Sequence, residues 1–193
     1  MIARLRRAWT SVVAFVSETE DASSLACVRI VVGLTLSVHV ARFWLSGAAA
    51  LDAVDMTFGG LGRPGPLGAL SPFAVDLLCI AIVVAASCVA LGLVTRAAIA
   101  STWALFRILI GSVGLARGSY DSLLIDTLVV LFFSGAGRAY ALDALLLARD
   151  GDAKRVARWP RMLLVLQLGM LYFGSAIAKF GSGWVPGGDA SAI

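Results

Sequence analysis

Charge is scarce in this chain of 193 residues: Asp, Glu, Lys and Arg make up 15% against 60% hydrophobic residues. Soluble domains carry about 25% charged and roughly 45–50% apolar residues. With so little charge and a mean hydropathy of +0.91, no polar coat can cover a body of this size, and a soluble domain is excluded. Disorder is excluded as well, because disordered chains lack apolar mass. Cysteine is rare. Cys27, Cys79 and Cys88 all lie inside apolar runs, which excludes a disulfide-stapled secreted module. Histidine occurs once, so a His-rich metal site is excluded and no metal is expected. HExxH, GxSxG, a Walker lysine loop and CxxC are all missing. Gly-rich pieces such as 58–62 read as turns rather than phosphate cradles.

What the sequence has in quantity is long apolar runs. A bilayer core about 30 Å thick needs roughly 20 apolar residues of helix. Five stretches meet or approach this: 24–45, 73–95, 97–116, 119–137 and 160–180. Pro72 precedes the second, Thr95-Arg96 separates the second from the third, and Arg117-Gly118 the third from the fourth. Pro160 suits a first helical turn, where its missing N–H is not needed. In 1–20, Ile2, Leu5, Trp9, Val12, Val13 and Val16 recur at helical spacing opposite Arg4, Arg7 and Ser11. That pattern predicts an amphipathic helix in the headgroup plane. The expected fold is therefore an all-α integral membrane protein, one domain over 1–193 with about five transmembrane helices and an N-terminal interfacial helix. Gly111 with Ser112 and Gly114, and Gly169 with Gly174, read as small residues that let helices approach closely.

The net charge is +4, and the basic residues cluster at the amino terminus (Arg4, Arg6, Arg7) and between Arg149 and Arg161. Both clusters border apolar segments, so they read as topology signals, and no nucleic-acid partner is expected; the lipid bilayer is. With the amino terminus inside, the cytoplasmic side holds Arg4, Arg6, Arg7, Arg96, Arg138, Arg149, Lys154, Arg155, Arg158 and Arg161. The outer loops hold only Arg63 and Arg117. This bias predicts a cytoplasmic amino terminus and an extracytoplasmic carboxyl terminus in a multi-pass protein of a bacterial plasma membrane.

Ionisable residues inside spans cost several kcal/mol unless paired or wetted, which makes each a candidate site. At about 1.5 Å of rise per residue, Arg107 and Asp126 fall near mid-membrane on helices joined by a tight turn. They are expected as a structural ion pair, the alternative being a charge facing a ligand cavity. His39 and Arg42 fall in the outer third of the first span, Asp76 in the first turn of the second, and Lys179 at the outer end of the fifth. These four groups share one level, which predicts an outward-facing polar pocket. The bland alternatives are snorkelling of Arg42 and Lys179, helix capping by Asp76 and local satisfaction of His39. Arg29, near the cytoplasmic end, is expected to meet Glu20, Asp21 or lipid phosphate. Burial lowers the pKa of a lysine, which is how this residue type serves as a general base.

The fifth span and its exit contain Gln167, then Tyr172-Phe173, then Lys179, then Trp184 and Gly187. This pattern resembles the signature of the horizontally transferred transmembrane (HTTM) family, which includes the vitamin K-dependent gamma-carboxylases. Two weaker echoes are Arg29-Ile30 with Gly33 in the first span, similar to the family's opening helix, and the stretch from Gly137 to Asp143, similar to its cytoplasmic-side motif. The resemblance implies a multi-helix membrane fold and a reduced quinone, vitamin K hydroquinone-like, as cofactor. It implies that Lys179 is the base that deprotonates the quinol, whose oxygenation yields a base able to take a proton from a glutamate gamma carbon. His39, Arg42, Asp76, Tyr172 and Trp184 are then the substrate-binding candidates, and a membrane or peptide partner is expected. Arg138 stands where the carboxylases carry a histidine, and the sequence given runs 14 residues beyond Lys179. The expectation is either a short relative or a piece of a longer chain. Rival readings are a non-enzymatic membrane subunit or assembly factor, and a DoxX-like membrane protein associated with quinone chemistry.

Overall fold

The computed structural model describes residues 2–47, 70–112, 119–146 and 155–180. They are mostly helical, in the order α1 (Ile2–Ser17), β1 (Thr19–Asp21), α2 (Ser23–Leu45), α3 (Pro72–Leu91), α4 (Thr95–Ser112), α5 (Ser119–Ser134), a 3-10 turn (Ala136–Arg138), α6 (Leu142–Leu146), β2 (Arg155–Ala157) and α7 (Trp159–Phe180). The ends follow local chemistry. Pro72 opens α3, and the Ser71 hydroxyl accepts a hydrogen bond from the Ala74 N–H at 3.3 Å, satisfying one of the orphan donors of the first turn. Gly92 closes the same helix at φ +70°, a left-handed conformation that costs glycine little.

Helices α2 to α5 form the bundle: α2 packs on α3 and α5, α3 on α4, and α4 on α5, while α7 lies against α5. Their inward faces repeat at three- and four-residue spacing. On α2 these are Leu25, Val32, Leu36 and Val40; on α3, Val75, Leu78, Ile82, Ala86 and Val89. A Cβ added at Gly33 would lie 2.6 Å from the Ala90 backbone nitrogen and 2.9 Å from the Ala86 oxygen, so glycine sets the spacing of α2 and α3. The outward faces are also apolar. Val31, Leu34, Val38, Leu77, Ile80 and Val84 are exposed, the inverse of a soluble helix and the expected face toward acyl chains.

Among the described residues, three helices are long and apolar enough to cross a membrane: Ser23–Leu45, Pro72–Leu91 and Trp159–Ile177. The other two expected spans correspond to α4, which carries Arg107, and α5, which has 16 residues. The expectation of an all-helical chain needs a correction. Strands β1 and β2 pair antiparallel with Thr19 opposite Ala157, Glu20 opposite Val156 and Asp21 opposite Arg155. This short ribbon ties the start of α2 to the start of α7. It is held by Arg158 to Glu18 at 2.5 Å, Arg161 to Glu20 at 2.7 Å and the Arg158 guanidinium 4.9 Å above the Phe15 ring.

The small-residue expectation is corrected in the same way. Among the described residues, a Cβ at Gly111, Gly169 or Gly174 would meet nothing within 4 Å. The glycines that permit close approach are Gly33, Gly92 and Gly137, the last set against Thr95. Gly169 and Gly174 sit on α7, whose Val165, Leu166, Met170, Tyr172, Phe173 and Ile177 are all exposed. Its anchor to α5 includes a hydrogen bond from the Gln167 side-chain amide to the Leu123 carbonyl at 3.4 Å.

Candidate functional site

Two polar clusters stand at opposite ends of α2. The first surrounds His39. Its Nε2 is 3.6 Å from Asp121 Oδ1 and 3.1 Å from the Tyr120 hydroxyl, and the His39 and Tyr120 rings meet edge to face at 5.0 Å. Asp121 is 2% exposed, so a carboxylate inside the bundle faces an imidazole at its edge. A buried carboxylate at this distance orients the imidazole ring. Arg42, three residues on and exposed, shares that helix face. Together with Leu34, Thr35, Val38, Phe43 and Ser46, His39 and Arg42 line a groove of about 750 Å³. Its lining mixes apolar Leu34, Val38 and Phe43 with polar Thr35, His39, Arg42 and Ser46, the pattern of a site for a small amphipathic molecule.

The other predicted residues are not gathered there. Asp76 accepts a hydrogen bond from Trp44 Nε1 at 3.0 Å, which ties the last turns of α2 to the first turn of α3. Tyr172 is 69% exposed on α7, and Lys179 is exposed in the last turn of that helix. Trp184 lies outside the described residues. Arg107 and Asp126 are both exposed, and no ion pair joins them among the described residues. The cause is helical phase. Phe106, Leu109 and Ile110 of α4 and Leu124, Ile125 and Leu128 of α5 are the buried residues, and each charge lies one residue, about 100°, round from a seam position. Tyr120, Asp121 and Trp44 were not singled out from the sequence. The available signal was a Tyr-Asp pair at the outer start of the fourth span, level with His39.

The second cluster lies where α3 turns into α4. Arg29 is not at the surface with Glu20, Asp21 or lipid phosphate, as its position suggested. It is fully buried, and its Nη2 donates to the Tyr140 carbonyl at 2.5 Å. A Cβ at Gly92 would crowd the Arg29 guanidinium and lie 2.7 Å from the Ala141 Cα, and the backbone there has φ +70°, so glycine suits this position. Asp143 accepts hydrogen bonds from the N–H groups of Val94 at 2.8 Å and Thr95 at 2.7 Å and from the Thr95 hydroxyl at 2.9 Å. It thereby caps α4 from a distant part of the chain. Burial works to raise its pKa, but those hydrogen bonds and the charge of Arg29 outweigh it, and the carboxyl titrates below its ordinary value. The two weaker sequence echoes, around Arg29 and Asp143, thus meet in one knot. No group of His, Cys, Asp and Glu able to hold a metal ion occurs among the described residues.

A helical bundle with apolar outer faces, spanning helices and polar clusters confined to its two ends defines an integral membrane protein. Residues 17–192 match the HTTM domain, and the chain belongs to that family. Neither a curated protein nor a solved structure matches it.

Proposed function

We propose that the chain crosses the membrane five times, with α1 in the headgroup plane, and acts from the outer leaflet on a quinol or lipid-like substrate. The supporting observation is the groove on α2, where Leu34, Val38 and Phe43 offer an apolar wall beside His39, Arg42, Thr35 and Ser46. That lining suits an aromatic headgroup with an apolar tail. A reduced quinone bound there would supply a reducing, oxygen-reactive ring of the kind vitamin K-dependent carboxylation uses. In this reading Lys179, on α7 and outside the residues that line the groove, is the base on the strength of the family motif alone. Arg42 and His39 hold the polar end of the substrate, and Asp121 and Tyr120 fix the His39 ring. Asp76 sets the outer ends of α2 and α3, while Tyr172 and Trp184 complete the substrate surface.

The test supplies reconstituted protein with vitamin K hydroquinone, oxygen, labelled bicarbonate and a glutamate-containing peptide. Label incorporation in the wild type should fall by at least about a hundredfold in Lys179→Ala, the loss expected when a general base is removed, with the folded protein retained. Full turnover in Lys179→Ala removes the lysine from the mechanism.

A second reading, a non-enzymatic membrane subunit or assembly factor, is favoured by a different observation. His39 and Asp76 already have partners within the chain, and α7 exposes Gly169 and Gly174 beside open space. A wild type inert in the assay, combined with co-purification of a membrane protein that Gly174→Leu abolishes, selects this reading.

A further inference from the structure

A cavity of about 780 Å³ opens beside the second cluster, between the start of α4 and the end of α5. Arg96 and Arg138 stand on its rim, and Ile99, Leu131 and Phe132 form its wall. From this we propose a binding site for an anionic phospholipid, with the phosphoryl headgroup between the two guanidiniums and acyl carbon against the wall.

Charge decides the class of ligand. Asp143 also faces the cavity, but its carboxylate is occupied by Val94 and Thr95 and balanced by Arg29. The net field is that of Arg96 and Arg138. Arg96 is exposed and enters no ion pair among the described residues. Arg138 spends one nitrogen on the Arg155 carbonyl at 2.6 Å, which fixes its direction and leaves further donors for a phosphate. The wall decides the source of the phosphate. Leu131 is buried and Phe132 half-buried, its ring edge to face with Phe133 at 5.0 Å. Ile99 is buried like Leu131, so the open apolar surface is that of Phe132 and the exposed Ala97; free inorganic phosphate would gain nothing from it, whereas an acyl chain entering from the bilayer would cover it. The site also lies at the bundle end where Arg155, Arg158 and Arg161 collect, the side on which anionic headgroups are attracted to basic residues.

The full chain, purified in detergent, is offered equal phosphatidylglycerol and phosphatidylcholine, and retained lipid is weighed by native mass spectrometry. Phosphatidylglycerol should be retained in preference, and Arg96→Gln should reduce that preference roughly fivefold, the effect of about 1 kcal/mol for one basic residue at a membrane surface. Arg96→Lys should restore most of it, which separates lost charge from lost folding. Arg107→Gln, exposed on α4 about three turns from Arg96 and outside the cavity, should leave it unchanged. The proposal is overturned by an unaltered preference in Arg96→Gln, by an equal fall in Arg107→Gln, or by displacement of the lipid with millimolar inorganic phosphate.

Discussion

Asp143 holds the turn between α3 and α4 through three hydrogen bonds. Val94, a β-branched residue, sits at φ +45°, and Tyr140 at φ +47°, a region that side chains of this shape avoid. The backbone stays there because the Val94 and Thr95 N–H groups point at one carboxylate and the Tyr140 carbonyl at Arg29. Removing the cap with Asp143→Ala should cost about 1–2 kcal/mol, seen as a fall of roughly 2–8 °C in the melting temperature in detergent. The pH dependence has a definite sign. A carboxyl held below its unfolded value of 3.8 contributes stability above that value and loses it as pH falls through the folded pKa. Wild-type protein should therefore melt progressively earlier on acidification below about pH 4, the ordinary carboxylate range. Asp143→Asn should start lower and show a flatter profile across the same window. Parallel profiles for the two proteins would show that this carboxyl is not the group responsible.

At the scale of the helix, glycine position separates internal packing from a face left open. Gly33 is pressed against the α3 backbone, so Gly33→Ala forces α2 and α3 apart, and overpacking of this kind costs about 1–3 kcal/mol. Gly169→Ala and Gly174→Ala, with open space around them, should leave the melting temperature unchanged or raise it slightly, since alanine favours helix by about 1 kcal/mol. Thermal melts of the three variants check this directly, and equal destabilisation at Gly174 would mean that α7 is packed more tightly than described. The helices themselves were legible in the sequence, because apolar length, Pro72 and the Arg96 break are local signals. Which residue faces which neighbour was not. Arg107 and Asp126 have the right depth for a pair but the wrong azimuth, and azimuth is set by the whole bundle. The β1–β2 ribbon was hidden for a related reason: a three-residue strand has no period to read, and its partner lies more than a hundred residues away. The His39 partners could be placed by depth, while Arg29 was assigned to the surface because its burial depends on Gly92 and Tyr140, which no spacing rule connects to it.

For the whole molecule, the clasp of β1, β2 and their arginines, the Asp143 knot and the Arg96 cavity all gather at one end, while the His39 groove lies at the other. This polarity becomes a membrane orientation through the distribution of Lys and Arg, and five crossings follow only if α4 and α5 both traverse despite Arg107 and Asp126. Single cysteines in a background with Cys27, Cys79 and Cys88 replaced by alanine test both points. Ser46→Cys, after α2, and Ser122→Cys, in the first turn of α5, should react with an impermeant maleimide on intact cells. Ser17→Cys, ending α1, and Ala144→Cys, in α6, should react only after permeabilisation. A reversed pattern inverts the orientation and moves the His39 groove to the cytoplasmic leaflet, where the proposed outer-leaflet substrate could not reach it. Protection of Ser122→Cys from outside, with Ser46→Cys still reactive, would make α4 and α5 a re-entrant hairpin. The two exposed charges would then lie nearer the inner surface, and the crossing number would fall to the three helices whose apolar length requires it.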